Sequence, residues 1–98
     1  MNHHEYRVST SGFVLDQFRA IVEIARSQDQ LKLVRDSGDW IMKELKSAPS
    51  SFGESREDFP EAGLQMRIGF SGPITVLFGV LEKSKNVFIR SFKWMPRG

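Results

Sequence analysis

The chain has no cysteine. Disulfide scaffolds, thiolate zinc sites and cysteine nucleophiles are thereby excluded together. Histidine is almost as scarce. His3 and His4 are the only two, adjacent at the N-terminus, where an extended backbone points them to opposite sides. Histidine metal sites and nucleophile–histidine pairs elsewhere in the chain have no residues to draw on. Tyrosine occurs once, as Tyr6. No long apolar run is present either. The longest uncharged stretch, Ile68 to Leu81, is interrupted by Gly69, Gly72, Pro73 and Gly79, too short and too punctuated for a bilayer-spanning helix. The first residues lack the apolar centre of a secretory signal, so a cytoplasmic location is expected.

What is present points to one globular domain over residues 1–98. The 40% hydrophobic and 27% charged fractions rule out wholesale disorder, and the length leaves no room for a second core. The net charge of +2 is unevenly spread. Residues 1–64 hold eight Lys/Arg against eleven Asp/Glu, giving −3; residues 65–98 hold six cations against Glu82 alone, giving +5. A basic C-terminal third suits a polyanion, and it equally suits a solvated edge strand protected from aggregation.

Periodicity divides the chain in two. Glu5 to Ser9 reads as a short strand. Ser11 is placed to cap a helix whose stripe is Val14, Phe18, Ile21 and Ala25. A second helix carries Leu31, Val34, Ile41 and Leu45 on one face, with Gly38 on the same stripe, where a kink or a close helix crossing is expected. Pro49 ends it. Ser47 to Glu61 reads as a connector pinned by Phe52 and Phe59. From Leu64 the period becomes two, with strands over Leu64–Phe70, Ile74–Val80 and Val87–Trp94. In the last of these Val87 and Ile89 lie opposite Phe88, Arg90, Phe92 and Trp94. The expected fold is α+β: an N-terminal strand and a two-helix hairpin packed on an antiparallel sheet that ends in a three-stranded meander.

Little of this carries chemistry. Glu54, Glu57, Asp58 and Glu61 cluster in the connector without the ligand spacing of a calcium loop, and no glycine pattern opens a helix to cradle phosphate. No cofactor or metal is expected. What remains is cation with aromatic: Arg90, Phe92 and Trp94 on one strand, Lys93 and Arg97 nearby, and Arg67 on another strand. Cations contact phosphates and aromatic rings stack on unpaired bases, so single-stranded RNA is one reading. The other makes the aromatics core under the helices. Trp40, Met42 and Trp94 fit the core stripes least, so at least one of them is expected on a partner-facing patch.

Several strings, taken in order, resemble the RelE/ParE toxin superfamily of bacterial toxin–antitoxin pairs. They are Leu45 with Pro49 and Phe52-Gly53-Glu54, then Leu64-Gln65-Met66-Arg67-Ile68, Gly72 through Val80, and Asn86-Val87-Phe88-Ile89-Arg90. Together they cover about residues 6 to 95. The resemblance implies an antiparallel sheet with an N-terminal helical hairpin, a small antitoxin protein as partner and, in the ribosome-dependent nucleases, mRNA as substrate. It assigns Arg67, Arg90 and Lys93 as the basic catalytic positions, and these with Arg97 as the RNA-binding set. The chain departs from the pattern in having no Tyr or His near its C-terminus. Arginine and lysine stabilise a charged phosphorane but shuttle protons poorly. A non-catalytic interaction module, acting on gyrase or on an antitoxin by protein contact, is the alternative the superfamily also implies.

Overall fold

The computed structural model describes residues 5–95, so His3, His4 and Arg97 lie outside the described residues. The elements run β1 (Arg7–Ser9), α1 (Gly12–Ser27), α2 (Leu31–Ser47), β2 (Glu54–Phe59), β3 (Leu64–Ser71), β4 (Ile74–Leu81) and β5 (Asn86–Trp94). Single 3-10 turns at Pro49–Ser51 and Pro60–Ala62 flank β2. The fold is α+β, as the change of period implies. No helix among the described residues is long and apolar enough to cross a membrane.

Ser11 caps α1, its Oγ accepting the Val14 N–H at 3.2 Å. Val14, Ile21 and Ala25 on α1 and Val34, Ile41 and Leu45 on α2 are buried. Gly38 marks a close crossing of the helices: a Cβ there would lie 2.9 Å from the Phe18 ring. Both helices pack on one face of a single five-stranded sheet, ordered β1-β5-β4-β3-β2. β2 to β5 are antiparallel in sequence, and β1 lies parallel to β5 along the far edge. The core between helices and sheet holds Ile74, Val76, Phe78 and Val80 of β4, with Val87, Ile89 and Phe92 of β5.

Three expectations are corrected. The Ser47–Glu61 connector contains β2, a full edge strand whose six residues are all exposed, and which therefore carries no apolar alternation to read. Phe52 does pin this segment, stacked 5.8 Å from Phe78, but Phe59 is 41% exposed. In β5 the regular alternation breaks. The register shifts against Leu77 and Phe78, so that Ser91 pairs with Leu77 and Ile89 with Phe78, leaving Arg90 as the extra residue of a bulge. Phe92 and Trp94 thus join Val87 and Ile89 on the helix side, opposite Val76 and Ile74, while Phe88 faces the other way, opposite Gly79.

Candidate functional site on the open face of the sheet

Arg67 sits on β3 opposite Phe78, so its side chain points to the helix side of the sheet. It is 8% exposed. Its Nε donates to the Phe52 carbonyl at 3.0 Å, Nη2 to the Gly53 carbonyl at 2.9 Å, and Nη1 to Gln65 Oε1 at 2.7 Å. No carboxylate among the described residues pairs with it. The arginine clamps the Phe52–Gly53 corner to β3. That corner is tight: Gly53 has φ +73° and presses on the Ile68 carbonyl, where a Cβ has no room.

The other basic candidates do not converge on Arg67. Lys93 pairs with Thr75 and lies on the sheet face turned away from the helices. Arg90 occupies the bulge. Both are exposed, and neither makes a hydrogen bond or ion pair within the described residues. Trp40, outside the core stripes, is 49% exposed on α2, whereas Met42 and Trp94 pack partly buried against the core.

A polar cluster that the sequence did not signal ties β1 to the β4–β5 turn. Glu82 accepts hydrogen bonds from Tyr6 OH, from Lys85 Nζ at 2.9 Å and from Ser50 Oγ at 2.8 Å. These donors, the Tyr6 hydroxyl foremost, hold the Glu82 carboxyl down at about 2. The same bond raises the Tyr6 pKa, and Lys85 is raised by its contacts with Glu82 and Tyr6. A carboxylate so firmly ionised, facing a phenol so firmly protonated, is a poor proton relay near neutral pH. It is a staple for the sheet edge, and no pattern of spacing could have revealed it, because its members come from three segments far apart in the chain. No three acidic or histidine side chains among the described residues are grouped to hold a metal.

The side of the sheet away from the helices is the unexpected surface. Register places Leu64, Met66, Ile68 and Phe70 of β3 on it, opposite Leu81, Gly79, Leu77 and Thr75 of β4. Phe88 of β5 leans with Met66 over Gly79, where a Cβ would collide with the Phe88 ring. None of the helices packs here. Phe70 remains 45% exposed and its apolar neighbours are half-buried by one another. Charge is confined to the margins. Glu54 and Glu57, opposite Ile68 and Met66, line the β2 side, while Lys93 and Arg7 line the β5–β1 side. Thr75 adds one further oddity, a buried hydroxyl without a hydrogen-bond partner.

Comparison with protein-family models, with curated proteins and with solved structures gives no match for this chain.

Proposed function

We propose that this chain is a non-catalytic protein-interaction module whose working surface is the open face of its sheet. The observation that carries the reading is the apolar strip from Phe70 and Ile68 across Leu77 to Phe88, which no helix covers. Contiguous apolar surface of this kind is rare on a monomer and characterises binding faces. The chemistry of the remaining groups supports it: the most buried cation, Arg67, is committed to neutral oxygens, and the only phenol is committed to Glu82. The test is photo-crosslinking in cells with benzoylphenylalanine in place of Phe70, and in place of Glu23 on the solvent side of α1. Protein adducts from position 70 and not from position 23 support the reading. Adducts from neither position, or equally from both, overturn it.

A second reading keeps the toxin-like function, with RNA or a ribosome as the target of the last strand. It is favoured by Arg90 and Lys93, two exposed cations three residues apart on β5 with no hydrogen-bond or ion-pair partner among the described residues. Arg67 contributes to the fold in this reading and to neither binding nor catalysis.

A further inference from the structure

The open face is acidic along one long margin and basic along the other, with an apolar middle. From this we infer that its partner is a second copy of the same chain, docked face to face about a two-fold axis parallel to the strands. The inference rests on the reading of that face as the working surface and names its occupant.

The argument is one of symmetry. In a face-to-face pair, a two-fold axis along the strands lays β2 of one copy over the β5–β1 side of the other, and β4 over β4. An axis across the strands instead lays β2 over β2, bringing Glu54 and Glu57 against their own copies. Only the first arrangement sets unlike charges against each other. It also preserves height along the strands, and the heights match. Glu54 is level with Ile68, two pairs along from Phe70, Thr75 and Lys93, which form the next level on this face. Glu57 is level with Met66, likewise two pairs from the level of Leu64, Leu81, Asn86 and Arg7. Alternate pairs along a strand are roughly 7 Å apart, within reach of a glutamate and a lysine or arginine. Leu77 then meets Leu77 at the axis, and Ile68 and Met66 cover the ring of Phe88. Sheets pack face to face in this aligned manner at about 10 Å.

Size is adequate. Four strands about 4.8 Å apart and eight residues long at about 3.4 Å each present on the order of 500 Å² per copy. The pair therefore removes about 1,000 Å² or more in total, where specific interfaces begin. A concentration-dependent dimer is expected, not an obligate one.

Sedimentation velocity of the full chain over a wide concentration range tests the proposal. The mass should rise from 11.2 kDa toward twice that value. Leu77→Lys should abolish the rise, with circular dichroism showing that the domain stays folded. Because a lysine at the centre disrupts any apolar contact, the charge margins supply the specific arm. The double variant Glu54→Lys/Glu57→Lys should weaken dimerisation by about tenfold or more, and so should Arg7→Glu/Lys93→Glu. Combining all four reversals should restore it. A dimer indifferent to both double variants, or four reversals that fail to restore it, overturns the proposed axis. A chain that stays monomeric throughout overturns self-association. If position 70 then still crosslinks to other proteins in cells, the interaction reading stands without it; if it does not, both fall.

Discussion

An arginine taken out of water needs acceptors for its donors, and Arg67 finds three on neutral oxygens of Phe52, Gly53 and Gln65. Removing it leaves two carbonyls at the Phe52–Gly53 corner without donors. Arg67→Ala should therefore cost about 3 kcal/mol in urea denaturation with an unchanged m-value. Arg67→Lys should recover little, because a single ammonium cannot span three acceptors set around a planar fork. A loss below about 0.5 kcal/mol for the alanine variant would show that the clamp is dispensable. Glu82 makes the second prediction at this scale. Its carboxyl is lowered from 4.5 to about 2 in the folded state, so its contribution is complete above 4.5 and is lost as pH falls through 2. The side chain is half exposed, and solvent screening keeps the contribution modest. Glu82→Gln should flatten the acid limb of the stability profile between those two values. An acid limb identical to the parent's would assign that limb to other carboxylates.

At the scale of elements, the single inserted residue at Arg90 decides which side chains of β5 face the helices. Ahead of it Val87 and Ile89 face inward; after it Phe92 and Trp94 do, and the Phe92 N–H is taken up by Gln17 Oε1 of α1 at 2.9 Å. Phe92 also meets Phe18 edge-on at 5.1 Å. Deleting Arg90 should put Phe92 on the open face or shift the register of the whole strand, and either outcome removes a buried ring worth several kcal/mol. Arg90→Gln should leave stability within about 0.5 kcal/mol, because only the residue count matters there. Equal stability of the deletion and the substitution would contradict the bulge.

These elements also show what a sequence discloses. The helices were legible because Ser11 caps the first and Val14, Ile21, Val34 and Ile41 repeat at helical spacing; the meander was legible from its period of two. β2 was not, since an exposed edge strand obeys no hydrophobic pattern and is defended by charge, here Glu54, Arg56, Glu57 and Asp58. Nor was the face chosen by Arg67. Period two separates Arg67 from Met66 and Ile68 but does not say which set meets the helices, and the polar set of β3 does so here. It does so because Gly69 leaves space beneath the helices for the Phe52 ring, which a Cβ at Gly69 would strike, and because Arg67 can satisfy the carbonyls of that corner. The apolar set of the same strand is thereby turned outward.

For the whole molecule, the described cations of the basic C-terminal third do not assemble into one field. Arg67 is withdrawn to the helix side, and Lys93 lies on the open side as the counterpart of Glu54 and Glu57. If single-stranded RNA binds at Arg90, Lys93 and Arg97, log affinity should fall with log salt at a slope of about −2, from roughly −0.7 per phosphate contact. Arg67→Gln should leave that slope unchanged. A slope near −3 that drops with Arg67→Gln would instead return Arg67 to the binding set.

The central claim is that the apolar face turned away from the helices does the protein's work, and Leu77 stands at its middle. Photo-crosslinking from position 70 in cells, repeated in a Leu77→Lys background, tests it most directly. The face as binding surface predicts that the adducts disappear while the purified variant keeps its circular dichroism and its cooperative unfolding. Undiminished adducts from the folded Leu77→Lys protein would contradict it.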